Sequence, residues 1–288
     1  MIDLEYRHVD VFSRRAFAGN GLVVVLGGAD LDAAVLLRIT QEMRQFETAF
    51  VVAFDVEHRT ARMRIFTEDE ELDFAGHPVL GAASVLYSML ANPGAEEAWD
   101  LELAGRHLKV STRTGANWTD AVMDQGPPRF GAPVAPDVAE TYLRALGLSA
   151  GEARHDLPLR VVNTGLPYLI VPVTKQGLAQ AGVTGENFEE LLALSGAKFV
   201  YVLDPERPEG RTWDNAGRVE DVATGSAAGP ALAYLVHHGL RQMDTPARLE
   251  QGRFVGRPST IEVRQSSHDG HVWVGGPVTD VASGRFTS

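Results

Sequence analysis

Apolar positions along this chain fall mostly into short runs broken by turn residues. Residues 8–12 (HVDVF), 21–26 (GLVVVL), 61–67 (ARMRIFT), 159–163 (LRVVN) and 168–173 (YLIVPV) are rich in β-branched and aromatic residues and predict strands. Residues 101–111 predict a hairpin turning near Gly105-Arg106. Residues 260–274 predict another with SHDGH at its tip, where Asp269-Gly270 is a strong turn signal. Residues 32–46 predict an amphipathic surface helix, with Val35, Leu36, Ile39, Met43 and Phe46 on its apolar side. Two stretches behave differently. After Gly76-His77-Pro78 the chain reads VLGAASVL, and residues 222–240 read VATGSAAGPALAYLVHHGL. A helix that is apolar on nearly every face is a buried helix. It has no room for an idle polar residue at its head, so His77 is either satisfied within the core or placed to meet something.

The two buried helices are related. Sliding the chain by 149 positions lays Ala75-Gly76-His77 on Thr224-Gly225-Ser226, Ala82 on Ala231, Leu86 on Leu235, and Phe50-Val51 on Phe199-Val200. Each half carries a glycine-containing turn followed by an apolar helix, an internal repeat that predicts two similar domains. The fold class expected is α+β: two pseudo-symmetric domains, each wrapping strands around a buried central helix. The Pro/Gly-rich stretch DQGPPRFGAP at residues 124–133 predicts the linker. The domains are therefore expected at residues 1–127 with 276–288, and at residues 128–275.

Composition narrows the function. With 288 residues, 44% hydrophobic and 22% charged, the chain is an ordinary globular one. A formal net charge of -12 with no basic run argues against nucleic-acid binding. No apolar run has the length of a membrane span. The N-terminal residues MIDLEYRHVDVF are charged and alternating, unlike a signal peptide, so a cytoplasmic location is expected. There is no cysteine, which excludes disulfides, thiolate metal ligands and thiol catalysis. No H-E-x-x-H or comparable spacing predicts a metal site, and GRFVGRPS at residues 252–259 lacks the spacing and lysine of a phosphate-binding loop.

A helix N-terminus presents unpaired N–H groups and a partial positive charge. Gly76 and Gly225 let the backbone come close to a ligand. Two such ends facing each other across a cleft between domains would suit a small carboxylate, with His77 and Ser226 at its edge. Each residue also has a plain structural reading. Glu47 reads as a solvated residue where helix gives way to strand. His77 reads as the first residue of a helix that has Pro78 in its first turn. Asp221 and Ser226 read as helix or turn caps, and Asn20 reads as a turn residue in Asn-Gly. His237 and His238 suit a helix C-terminus.

The segments FAGNGLVVVL, QEMRQFETAFV, DFAGHPVLGAA, NTGLPYLIV, VEDVATGSAAGPALAYLVHHG, QGRFVGRPSTIEV and VWVGGPV occur in the order found in phenazine-biosynthesis PhzF-like proteins, and they span nearly the whole chain. This resemblance implies a diaminopimelate-epimerase-like fold, no cofactor and a homodimer. It also implies isomerisation of a small carboxylate-bearing substrate, of which a dihydro-hydroxyanthranilate is the family's founding example. By motif, Glu47 in FETAF would be the general acid/base, with a pKa raised by apolar surroundings such as Phe46, Ala49 and Phe50. His77 and Asp221 would act with it. Gly76, Gly225, Ser226 and Asn20 would bind substrate, Gly76 and Gly225 through backbone N–H groups. Related racemases use two cysteines, which would fall near Ala75 and Thr224, so two-thiol chemistry is excluded here. The chain departs from the pattern at Phe46, where Ser is frequent, at Val222, where Pro is frequent, and at Gly21, where Pro is common. The first of these adjoins Glu47 and bears on substrate choice.

Two other functions compete. One is a hydrolase with Ser226, His77 and Asp221 as a triad, although Ser226 sits in TGSAAG and not in a nucleophile-elbow spacing. The other is a small-acid binding protein without turnover.

Overall fold

The computed structural model describes residues 2–185 and 187–287. It comprises two compact units: the first runs up to Asp124 and resumes at Gly275, and the second is Gln125–Val274. The first unit carries β1 (Asp3–Val11), β2 (Asn20–Leu26), α1 (Ala33–Met43), β3 (Thr48–Asp55), β4 (Thr60–Phe66), β5 (Glu71–Leu72), α2 (His77–Ser88), β6 (Glu96–Leu103), β7 (Arg106–Thr114) and β8 (Thr119–Asp124). The second carries β9 (Arg129–Pro133), α3 (Pro136–Ala145), β10 (Arg160–Asn163), β11 (Pro167–Pro172), α4 (Lys175–Gln180), α5 (Phe188–Leu194), β12 (Phe199–Asp204), β13 (Glu209–Arg211), α6 (Gly225–His237), β14 (Ala247–Gln251) and β15 (Ser259–Gln265). The boundary at Val274/Gly275 falls inside the last strand, β16 (Val272–Thr287).

In the first unit the strands run β1-β2-β3-β4-β6-β7-β8-β16, and β16 also pairs with β1, so eight strands close into a barrel. The β2/β3 and β4/β6 neighbours are parallel, and a parallel pair needs a crossover. Helix α1 supplies the first crossover and α2 the second. Helix α2 packs on β1, β2, β3, β6, β7 and β8, as a helix filling the barrel must. This explains why β2 and β3 read as continuous apolar runs and not as alternations: both faces are covered. Val23, Val25, Phe50, Val52 and Phe66 pack under Leu36 and Ile39 of α1 on the outer side. Leu22, on the other face of β2, lies so close to α2 that a Cβ on Gly81 would collide with it. Gly81 is what lets the helix approach the wall.

The second unit repeats the plan. Strands β10 and β11 are antiparallel, β11 and β12 parallel, β12 and β13 antiparallel, β13 and β14 parallel, β14 and β15 antiparallel. The crossovers are α4 with α5, then α6. Helix α6 is buried over residues 225–235 and packs on β10, β11, β12 and β15. The opposite side of the strands is covered by Tyr142 and Leu143 of α3, Leu178 of α4, and Phe188 and Leu192 of α5, against Leu169, Val171, Val200 and Val202. The unit is thus a mixed α/β body with the same succession of pairings and one helix buried in the corresponding place.

Two local expectations fail. Helix α1 ends at Met43, because Arg44 takes a left-handed conformation with φ 52. Phe46 is therefore outside the helix and half-buried. Residues 124–133 are not a plain linker, since residues 129–133 form β9 and pair with β10. Prolines are tolerated at such strand ends. Among the described residues, no helix is long and apolar enough to cross a membrane.

Candidate active site

In the first unit the polar residues gather where α1 hands over to β3 and where α2 begins. Arg44 donates its backbone N–H to Thr40 and stops α1. Three residues later Glu47, immediately before β3, is only 7% exposed. Helix α2 starts at His77, with Gly76 as its cap residue and Pro78 in its first turn, and no side chain caps it. His77 is 4% exposed. Its Nδ1 lies 3.4 Å from Glu47 Oε2 and 3.4 Å from the amide nitrogen of buried Asn20 at the start of β2. The first unit therefore brings together Asn20, Glu47, Gly76 and His77.

Burial alone drives the His77 ring down to about 3, so the imidazole is neutral near physiological pH. Its contact with Glu47 is thus a contact between a carboxyl and a neutral ring, not an ion pair. Asn20 and Glu47 both face Nδ1, and the tautomer of the neutral ring sets which of its nitrogens donates. Among the described residues, His77 Nε2 and the neighbouring Thr48 Oγ1 have no hydrogen-bond partner although both are buried. Native proteins rarely leave such atoms orphaned outside functional sites.

The ring sets a pH dependence. The unfolded imidazole takes a proton below about pH 6.5, whereas the folded one resists until about pH 3. Between these values the unfolded state binds more protons. The stability contributed by keeping His77 neutral is therefore whole above about pH 6.5 and is lost as the pH falls, at up to about 1.4 kcal/mol per pH unit. His77→Gln should flatten the pH dependence of urea-unfolding free energy across this window. Parallel wild-type and variant curves would mean that folding does not suppress protonation of His77.

In the second unit the polar residues gather around the head of α6. The Asp221 backbone N–H bonds to Thr212 O at 3.0 Å, and its carboxylate is buried. Thr224 is the residue before the helix, and its hydroxyl donates to Asp221 Oδ2 in a short hydrogen bond. Gly225 opens the helix, and its carbonyl accepts from Gln125 Nε2 at 2.9 Å. Ser226 does not cap the helix. Its hydroxyl pairs instead with the Tyr168 hydroxyl at 2.7 Å, both buried. The second unit therefore brings together Asp221, Gly225 and Ser226. It adds Tyr168 and Gln251, to which the sequence assigns no role, and Thr224, which the sequence marks only as the counterpart of a racemase cysteine. The signal for Tyr168 lies in NTGLPYLIV, one of the resembling segments, whose residues 168–173 also read as a strand.

His237 closes α6, where Arg160 bonds its ring at 2.8 Å and Phe130 stacks on it, so its surroundings are structural. Among the described residues, no three His, Asp or Glu side chains converge as the ligands of a metal would.

A closed barrel filled by a glycine-headed helix thus holds a buried carboxyl against a neutral imidazole at the helix head. Residues 9–284 match the PhzC-PhzF family, described as phenazine biosynthesis-like protein, and the chain belongs to that family. It is 31% identical over 273 residues to an uncharacterised isomerase, YddE, of Salmonella typhimurium, covering 91% of this chain and 90% of that protein. It is 31% identical over 265 residues to a trans-2,3-dihydro-3-hydroxyanthranilate isomerase of Pseudomonas chlororaphis, covering 90% and 89%. Among solved structures, a predicted epimerase from Pseudomonas aeruginosa superposes with a TM-score of 0.94 at 44% identity, covering 99% of both chains. The chain is thus a PhzF-like enzyme related to isomerases.

Proposed function

We propose that the chain is a cofactor-independent isomerase that moves a proton between carbons of a small carboxylate-bearing substrate, with Glu47 as general acid/base. The observation that carries this reading is the placement of Glu47: a buried carboxyl 3.4 Å from a neutral, buried His77 at a helix head. A neutral imidazole does not lock the carboxylate into an ion pair, so Glu47 keeps the capacity to take a proton and return it. The reaction balances within the substrate. One C–H bond breaks, Glu47 holds the proton, and a C–H bond forms at another carbon. His77 donates its Nε2–H to a substrate oxygen. Asp221 contacts the substrate, Asn20 and Ser226 bind it, and the Gly76 and Gly225 backbones offer N–H groups to developing negative charge. The dihydro-hydroxyanthranilate of the Pseudomonas chlororaphis relative is the one concrete substrate candidate. The diaminopimelate-epimerase-like arrangement and the homodimer belong to the same reading.

The test is deuterium uptake from D₂O into a panel of cyclic and amino-acid carboxylates that includes a dihydro-hydroxyanthranilate, followed by mass and NMR. Uptake at carbon supports the isomerase. A compound that binds without exchange points to a binding protein.

Ser226 separates the hydrolase. Its hydroxyl is engaged by Tyr168, a hydroxyl that is no base at neutral pH. Ser226→Ala should slow exchange about tenfold or less, the loss of one hydrogen bond in the binding machinery. Ester or amide cleavage that disappears in Ser226→Ala would instead establish the triad.

A further inference from the structure

Gln251, the last residue of β14, is 1% exposed, and its amide is fully engaged. Oε1 accepts the Thr224 backbone N–H at 3.2 Å and the Tyr201 hydroxyl at 3.3 Å. Nε2 donates to the Asp221 carbonyl at 2.9 Å and to Thr224 Oγ1 at 2.9 Å. The orientation of the amide is not a matter of choice. A backbone N–H only donates and a backbone carbonyl only accepts, so the two ends of the amide are fixed independently. Thr224 Oγ1, having accepted from Nε2, has its own proton to give, and gives it to Asp221 Oδ2. The bonds therefore run one way, from Tyr201 through Gln251 and Thr224, and end on a carboxylate oxygen. An oxygen that receives such a bond is favoured in its ionised form.

We propose that Gln251 is the positioning residue for Asp221: its amide pins the turn between Asp221 and α6 and, through the Thr224 hydroxyl, holds Asp221 as an ionised acceptor in one orientation. The proposal rests on the reading of Asp221 as a substrate contact. A merely structural role would end at the two backbone groups that Gln251 satisfies, the Thr224 N–H and the Asp221 carbonyl, which need partners once buried. The additional bond to Thr224 Oγ1 reaches past the backbone to the carboxylate. Two ionisable groups near this cluster are Tyr201 and Glu220. Tyr201, on β12, is held protonated by burial first and by the Asp221 charge second, with smaller contributions from Tyr168 and Glu209. Glu220, next to Asp221 in sequence, is paired with Arg211 at 2.6 Å.

The test follows the Asp221 Cγ carbon by NMR across pH in wild type, Thr224→Ser, Thr224→Val and Gln251→Met, with melting temperatures in parallel. Thr224→Ser keeps the hydroxyl and should titrate as wild type. Thr224→Val and Gln251→Met should titrate higher by about one pH unit, the loss of a bond to the charged form. If Gln251→Met does not fold, Gln251→Leu replaces it, uncharged and with no amide N–H to donate. Coincident titrations in all folded variants overturn the positioning role. Deuterium exchange in the same variants answers a separate question. Exchange reduced about tenfold in Thr224→Val and kept in Thr224→Ser upholds both the positioning and the catalytic reading. A raised titration with exchange at the wild-type rate upholds the positioning and overturns the part of Asp221 in the reaction.

Discussion

Glu47→Gln should abolish carbon–deuterium exchange, lowering the rate by about 10²–10⁴ as loss of a general acid/base does, while leaving the fold and ligand binding in place. The substitution keeps the volume of the side chain, and the amide still reaches the His77 ring 3.4 Å away. What disappears is the capacity to accept a proton at this atom. The measurement is the exchange rate in D₂O beside the dissociation constant of the same compound. Exchange that persists at the wild-type rate would remove Glu47 from the chemistry. Weakened binding with an unchanged rate constant would make it a substrate-binding group only. His77 frames the result, because burial keeps its ring neutral and therefore a poor substitute base for the missing carboxylate.

Gly275→Val should destabilise the barrel by about 3 kcal/mol, a large share of the ordinary stability of a domain. Strand β16 closes the barrel with β1 on one side, from Asp3↔Thr287 to Val11↔Val278, and with β8 on the other. At Gly275 a Cβ would collide with the carbonyl oxygen of Ala121 and press on Cα and Cγ2 of Val122, both at 2.7 Å. The obstacle is largely backbone, so no rotamer change relieves it. The cost should appear as a lower urea midpoint and as faster amide exchange along β8. A wild-type midpoint would mean that the β8–β16 seam has slack that this packing does not suggest.

How much of this was written in the sequence depends on how local each signal is. The buried helices announce themselves, because a helix with no polar face has only one place to go. The doubly covered strands β2 and β3 are visible as unbroken apolar runs, and the repeat gives the second unit. The end of α1 was misplaced by three residues. Apolar periodicity extends through Phe46, whereas Arg44 adopts a left-handed conformation that periodicity does not encode. Strand β9 was hidden by Gly131 and Pro133 and by the Gly126-Pro127-Pro128 run before it, which signal a loop equally well. Glu47 and Asp221 stood out through motif resemblance alone, whereas His77 and Ser226 also stood out physically, as polar residues at the heads of apolar helices. Gln251 opens one of the resembling segments, QGRFVGRPSTIEV, but nothing in that segment marks it out from its neighbours. Its importance comes from Asp221 and Thr224, 30 and 27 residues earlier, and a lone glutamine at a strand end carries no mark of that.

The course of β16 also governs when each part of the molecule is finished. Its ladder with β1 and the bond from Thr279 Oγ1 to the Ser13 carbonyl join positions 266 or more residues apart. On the ribosome, every residue of Gln125–Val274 is made before Gly275. At roughly 5–20 residues per second the nascent barrel waits on the order of ten seconds for its closing strand. During that interval β1 and β8 are open edges, able to recruit a stray strand. The second unit, whose sequence is uninterrupted, can fold first and brings Asp221, Ser226 and Gln251 together early. The barrel that encloses α2, and with it the setting of Glu47 and His77, is completed only as translation of this region ends. Released chains ending at Val274 should show a protease-resistant second unit and a digestible barrel.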